Sequence, residues 1–419
     1  MTAQPEWCDV ALSELLDFRN GINFLRSSTG AEVRILGVGD FGDNESIDDF
    51  STLKTVTVSS ELAHDDLLEE NDLVFVRSNG NRALVGRCAL IRGIAERVTF
   101  SGFTIRGRLK SDQADPVFLS KVLRSDLFAK HLRLHGGGSS ISNLSQGVLA
   151  EFSFSLPPLP EQRKIAEILR AWDDAIEGLQ QLRKSQTARR EAMISKLLFG
   201  GGHPHGTTWA RTARDWTIRP IGDLAKEAGA RNAGLSAEAV LTCSKHLGFV
   251  RSEDYFGRTV HSKDLSNYKL VHRDEFAFPS NHVEEGSIGL QNVVDTGAVS
   301  PIYTVFVFNR ELIDPRFAYL VLKSQHYTHM FRVSTSATVD RRGSLRWPEF
   351  SRLPFPVPPM RMQERIVEVA KDFDDDLART STLIALYRDQ KRGLMQKLLT
   401  GEIRVTGNVA ASLRGASVV

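Results

Sequence analysis

The sequence predicts an α+β chain: two globular domains joined by two long antiparallel coiled-coil helices, related by a pseudo-two-fold internal repeat. Three observations predict it. A segment beginning PPLPEQRKIAEIL at Pro157 returns without a gap as PPMRMQERIVEVA at Pro358. Each copy carries apolar residues at coiled-coil spacing over about 40 residues. The stretches between the copies are rich in short strand and turn signals and echo one another faintly.

A chain of 419 residues is too long for one ordinary core. The first globular domain is placed at residues 1–156. Glu6-Trp7 opens it, as Asp215-Trp216 opens the second, with Leu12/Leu15 and Ile221/Leu224 at matching distances. DLVFVRSN from Asp72 aligns with DEFAFPSN from Asp274 at an offset of 202, each an apolar strand running into a polar loop.

A central spacer helix follows at 157–200. Its prolines hold the chain extended and then suit a first helical turn, and Gly200-Gly201-Gly202 stops it. A linker at 201–209 leads to the second domain at 210–356, a distal spacer helix at 357–401 and a tail at 402–419. At an offset of 201, 12 of 44 positions are identical between the two helical copies, among them Gln162/Gln363, Asp173/Asp374 and Leu182/Leu383. In the second copy Ile366, Ala370, Phe373, Leu377, Thr380, Ile384, Tyr387, Lys391, Leu394 and Leu398 keep a 4-3 seam. The first keeps Ile165, Leu169, Trp172, Ile176, Leu179, Met193 and Leu197, with Arg183, Gln186 and Arg190 in its middle. The first helix leads away from the first domain, so the second can pair with it only by running back antiparallel. About 40 residues make a rod of roughly 60 Å.

Hydrophobic content of 41% and charged content of 25% suit a soluble globular protein. No apolar run approaches the ~20 residues that cross a bilayer, and MTAQPEWCDV lacks a basic-then-apolar signal. Cys8, Cys88 and Cys243 are few, odd in number and scattered. They point to a reducing, cytoplasmic location and away from a disulfide framework or zinc knuckle. A net charge of +2 and a pI near 8.4 say little about nucleic acid, which would require local basic clusters.

Pro157-Pro158-Leu159-Pro160-Glu161-Gln162, followed by an Ile-rich helix with Asp173, resembles the central repeat of type I restriction–modification specificity subunits. GLMQKLLTG from Gly393 resembles their distal repeat. The resemblance covers the whole chain in organisation. One departure is Arg361-Met362 where the first copy has Pro160-Glu161, which implies a less well defined or shifted start for the distal helix. The resemblance implies a non-catalytic chain with two target-recognition domains reading a bipartite double-stranded DNA target, one half-site each. The helices would set the gap and dock two adenine-N6 methyltransferase subunits, which bind S-adenosylmethionine. Two restriction subunits using ATP and Mg can join them. The chain itself would hold no cofactor and no metal, and would have no membrane partner. The competing classes are a DNA-binding scaffold or antagonist that keeps the fold, and a self-sufficient methyltransferase or nuclease.

Three short motifs bear on chemistry of the chain's own. GVGDFG at 37–42 fits G-x-G-x-x-G after a strand-like VRIL, but the acidic DNESIDD that follows would repel a phosphate, so a plain strand–turn connection is expected. Adenine methyltransferases use Asp or Asn, two prolines and an aromatic; neither Pro-Pro pair here has the polar head or the aromatic. His131 and His135 stand at i, i+4 but end against GGGSS, which favours a helix-terminal cationic pair over a metal site. No catalytic constellation stands out.

For DNA contact, Arg77, Ser78, Asn79, Asn81 and Arg82 follow the first matched strand, and Ser280, Asn281 and His282 the second. Arg can pair guanine and Asn adenine in the major groove. Gly138, Ser139 and Ser140, and Thr338, Arg341 and Arg342, lie in loops before each helix, where small residues admit phosphate and paired Arg neutralises it. The bland alternative is a set of ordinary hydrophilic turns. Arg183, Lys184, Arg189 and Arg190 form a basic stretch that is either a solvated face or a phosphate track. The tail after Arg404 is small-residue-rich; disorder and closure beside Trp7 both stay open.

Overall fold

The computed structural model describes residues 6–23, 30–42, 45–58, 62–135, 143–199, 216–234, 236–336 and 344–405. The chain divides into two compact units, residues 1–179 with 383–419 and residues 180–382. Each unit holds one globular domain, the start of the helix that leaves it and the end of the other helix. Those helices are Leu159–Phe199 and Met360–Leu399.

In the first unit the two ends of the domain are stitched by an antiparallel pair, Cys8–Ala11 with Ser153–Leu156. A five-stranded sheet runs in the order Leu16–Asn20, Thr104–Leu109, Leu73–Val76, Cys88–Ile91, Ser46–Ile47. A three-stranded sheet places Ala31–Leu36 between Lys54–Val58, antiparallel, and Val98–Phe100, parallel. The second unit repeats this plan. Thr217–Pro220 pairs with Pro354–Val357, and a sheet runs Ala225–Ala228, Tyr303–Phe308, Phe276–Pro279, Gly289–Leu290. Ala239–Ser244 sits between antiparallel Gly248–Arg251 and parallel Thr296–Val299. The apolar strands LVFV and FAFP are buried along their whole length, as central strands covered on both faces must be.

Pairing registers correct the sequence alignment of these strands by one residue. Asn71 (φ 69°) and Asp274 (φ 66°) are the two non-glycine residues with positive φ among the described residues, and they lie 203 apart. The Asp72 carboxylate accepts the Glu69 N–H at 2.7 Å, and Glu275 accepts the His272 N–H at 2.8 Å. Leu144 N–H donates to the Arg77 carbonyl as Leu345 N–H donates to that of Ser280, both at 2.8 Å. The matching letters at 202 are therefore one position out, and in a strand one position exchanges faces. Ser280 occupies the place of Arg77, not of Ser78.

The helices pack into the domains by their seams, except near the end of the first, where Ile194 and Leu198 are buried in place of the expected Met193 and Leu197, one residue earlier. Ile165, Ala166 and Leu169 share a core with Phe118, Leu119, Phe154, Leu398 and Leu399. Ile366, Val367 and Ala370 share one with Phe317, Phe355, Ile194 and Leu198. Within each unit the two helical segments run antiparallel. Trp172 meets Tyr387 edge-on at 5.4 Å and Asp173 pairs with Lys391; in the other unit Arg190 holds Asp374 bidentately at 2.7 and 3.0 Å. Adding 201 to Asp173 and to Arg190 gives Asp374 and Lys391, so the two ion pairs are repeat images. Arg183 and Lys184 are exposed, whereas Arg189 lies over the Phe373 ring at 5.8 Å.

The distal helix begins at Met360, the repeat image of Leu159, so Arg361-Met362 neither shifts nor frays its start. The departure has another cause. Glu161, 6% exposed, accepts Trp7 Nε1–H at 3.0 Å, the Arg404 guanidinium at 2.9 Å through both Nε and Nη2, and Val405 N–H at 2.9 Å. Arg404 also lies over the Trp7 ring at 5.3 Å, and Gly401, left-handed at φ 73°, ends the helix against the same ring. The start of the tail therefore closes beside Trp7; residues 406–419 lie outside the described set.

Burial raises the Glu161 carboxyl, but bonds from Arg404, Val405 and Trp7 outweigh it and leave it below the usual carboxylate value. A lowered carboxyl stabilises the fold above its unfolded-state pKa and ceases to do so as pH falls through the folded one. Glu161→Gln is accordingly expected to destabilise the protein at pH 7 and to converge on the wild type as pH falls through the acid range. Urea midpoints measured between pH 7 and 3 check this; a difference independent of pH refutes it.

Candidate nucleic-acid interface

The first polar loop leaves the strand Leu73–Val76 and returns in Cys88–Ile91. Arg77 N–H donates to the Phe103 carbonyl at 2.8 Å and its guanidinium to the Gly102 carbonyl at 3.2 Å, so part of this side chain is spent fixing the loop base. Ser78 bridges to Asn143. Asn79 Oδ1 accepts the Asn81 N–H at 2.7 Å, and Asn81 Oδ1 accepts the Ala83 N–H at 3.1 Å, capping a short turn. The carbonyl ends of both asparagines thus shape the backbone. Gly80, Asn81 and Arg82 form the exposed tip.

In the second unit Ser280 is 7% exposed. Its hydroxyl donates to the Ile302 carbonyl at 2.7 Å and lies 3.3 Å from Thr304 Oγ1. Its hydroxyl is thus spent fixing the base of the loop, the place that Arg77 takes in the first unit. Asn281 is partly exposed and His282 exposed, and the short turn Val283–Glu285 follows. His282, Glu284 and Glu285 bring one ligand atom each within 4.8 Å of one another. The carboxylates repel phosphate, but a carboxylate can accept from the N4 amino group of cytosine.

Gly138, Ser139, Ser140, Thr338, Arg341 and Arg342 lie outside the described residues. His131 and His135 stack at 4.4 Å, and His131 Nε2 bonds the Val148 carbonyl at 2.7 Å beside Phe128 and Phe152. His131 is thus built into an aromatic cluster rather than directed at phosphate. In GVGDFG the Asp40 carboxylate takes the Gly37 N–H at 2.8 Å, and a three-residue turn follows in place of a helix.

The first unit also holds a charge cluster that sequence reasoning missed. The ammonium groups of Lys121 and Lys391 each pair with both Glu45 and Asp173; Lys121 to Asp173 is 2.6 Å and Lys391 to Glu45 is 3.1 Å. Arg124 adds its charge at 3.9 Å from Glu45. These groups line a cavity of about 320 Å³ with Arg388 and Arg392 at its wall. Burial raises the Glu45 carboxyl, but Lys121, Lys391 and Arg124 overcome it and hold it at about 2.

Comparison with known proteins agrees with this architecture. Residues 6–185 match the type I restriction modification DNA specificity domain. The chain is 21% identical over 361 residues to the type I restriction enzyme MjaVIII specificity subunit of Methanocaldococcus jannaschii, covering 81% of this chain and 80% of that one. It is 30% identical over 176 residues to the StySPI specificity subunit of Salmonella potsdam, 41% of this chain and 38% of that one. A chain from a structure concerned with complex assembly and conformational transition of the type I R-M system shares the fold, with a TM-score of 0.61 at 14% identity over 96% of this chain and 100% of that one.

Proposed function

We infer that this chain is the DNA-specificity subunit of a type I restriction–modification system, the member that decides which sequence the enzyme recognises. One observation carries the reading. The first half matches the family's specificity domain, and the second half repeats the order of its central strands and its long helix. Two copies of one reading domain in a single chain suit a target made of two short sequences. The tips at Asn81 and Arg82 in one domain and at Asn281 and His282 in the other supply the side-chain types that read base edges.

The finer proposals follow from the same organisation. The chain catalyses nothing itself; two methyltransferase subunits dock on its helices and bring S-adenosylmethionine, and two restriction subunits bring ATP and Mg. Double-stranded DNA is its ligand, and its setting is the cytoplasm. No helix among the described residues is long and apolar enough to cross a membrane.

A base-resolution map of N6-methyladenine, made in a host that expresses this chain with its methyltransferase, tests the reading. The expected result is a split motif, two short sequences around a fixed unread gap, that disappears when this chain is omitted. A methylation pattern indifferent to the chain overturns it.

A further inference from the structure

Beside each polar loop, a tight turn presents an exposed hydrophobic side chain, in the second domain with Pro301 exposed next to it. In the first domain Ser101, Gly102 and Thr104 are buried while Phe103 between them is 62% exposed. In the second, Ile302 is 46% exposed next to the buried Tyr303. An isolated exposed hydrophobic residue is ordinary and needs no explanation. Here the same exposure recurs at equivalent places in two domains of different sequence. Val76 pairs with Thr104 as Pro279 pairs with Tyr303, which makes Phe103 and Ile302 counterparts.

Both turns are closed by hydrogen bonds and fastened to the loops. Thr104 closes the first on the Ser101 carbonyl through its N–H at 2.8 Å and its hydroxyl at 2.7 Å; Tyr303 N–H closes the second on Ser300 at 3.0 Å. The Phe103 carbonyl accepts the N–H groups of Arg77 and Ser78, and the Ile302 carbonyl accepts the Ser280 N–H and hydroxyl. Gly21 lies so close that a Cβ there would meet the Ser101 carbonyl oxygen at 2.1 Å, which seats the first turn firmly. The apolar side chain is therefore held in register with the first residue of the loop.

Resting on the DNA-reading function, we propose that Phe103 and Ile302 are specificity residues, each making apolar contact with the 5-methyl group of a thymine in its own half-site. The thymine methyl is the apolar feature of the major-groove edge, and apolar side chains are its complement. Polar loop atoms read donors and acceptors while the neighbouring turn reads the methyl.

The test uses the full chain with its methyltransferase and duplexes carrying the mapped motif, with thymines of one half-site at a time replaced by deoxyuridine. Phe103→Ala is expected to weaken binding about tenfold and to relax the motif in one half-site only, and Ile302→Ala in the other. Uracil in the matching half-site should cost the wild type a similar factor and cost the alanine variant nothing further. Unchanged thermal unfolding confirms that both exposed sites leave the fold intact. Variants that keep wild-type affinity and motif overturn the proposal, as does a loss that uracil does not reproduce. A wild-type complex that leaves no split motif defeats the DNA-reading function itself, and is thereby distinguishable.

Discussion

Replacing Lys121 by alanine is expected to destabilise the first unit by up to about 3–5 kcal/mol, the cost of removing one partner from a fully buried ion pair, lessened here because Glu45 and Asp173 stay 32% and 30% exposed. Lys121 is 6% exposed on its side chain and lies on the short helix Pro116–Val122, while Asp173 and Lys391 come from the two long helices and Glu45 from a loop. Four elements meet at two cations and two carboxylates. Removing one cation leaves Lys391 to neutralise both carboxylates, with Arg124 too distant to replace the bond. Lys121→Met, which keeps the volume, is expected to lose almost as much, because the loss is of charge rather than of packing. Urea unfolding followed by tryptophan fluorescence, with hydrogen exchange in Pro116–Val122, measures it; a loss under 1 kcal/mol would refute the account. The acid limb shifts too. Glu45, held at about 2, contributes stability above its unfolded-state pKa that is lost only as pH falls towards 2. Without Lys121 that loss should begin at higher pH.

This cluster also shows where sequence reading stopped. The long helices were legible because the repeat and the 4-3 seam are properties of letters at fixed spacing. Ile165, Ile366 and Leu398 lie in the cores as that spacing requires, whereas near the end of the first helix Ile194 and Leu198 take the buried places expected for Met193 and Leu197, one residue on. Lys391 was legible as a polar residue on an apolar seam, but its partner Glu45, and Lys121 which shares both carboxylates with it, come from elements that only the fold assembles. The loop register failed for a different reason. Two Asp residues and two Ser-Asn pairs agree at an offset of 202, whereas the backbone is set by left-handed Asn71 and Asp274, which share no letter. Arg361-Met362 was visible as a departure, yet its cause is the Glu161 site that Arg404 and Trp7 build from opposite ends of the chain. Phe103 and Ile302 left no signal, because exposure of an apolar residue is not written in its neighbours.

Gln162 and Gln363 join the two levels of the repeat, and their loss is expected to be as damaging as that of Lys121. Gln162, 1% exposed, accepts the Asp115 N–H at 2.8 Å and donates to the carbonyls of Gln113 at 3.0 Å and Pro157 at 2.8 Å. Gln363, fully buried, accepts the Asp314 N–H at 2.8 Å and donates to Leu312 and Pro358, both at 2.9 Å. One side chain thus ties the turn before a proline-started domain helix to the prolines that launch the spacer helix. Substitution by leucine strands one N–H and two carbonyls in a buried site, at about 1–3 kcal/mol for each group left unsatisfied. About 3–5 kcal/mol is expected for each variant, allowing for partial relaxation. The repeat makes a sharper demand than the magnitude. Because both sites have the same three bonds, Gln162→Leu and Gln363→Leu should cost nearly the same, each loosening its own unit as read by hydrogen exchange. Glutamate is the stringent control, since it keeps the shape but turns an oxygen towards two carbonyls, and it should be at least as harmful as leucine. A glutamate variant close to wild type would mean that the amide holds the domain by packing alone. Equal and local losses would instead identify the glutamine as the device that fixes each reading domain to its helix.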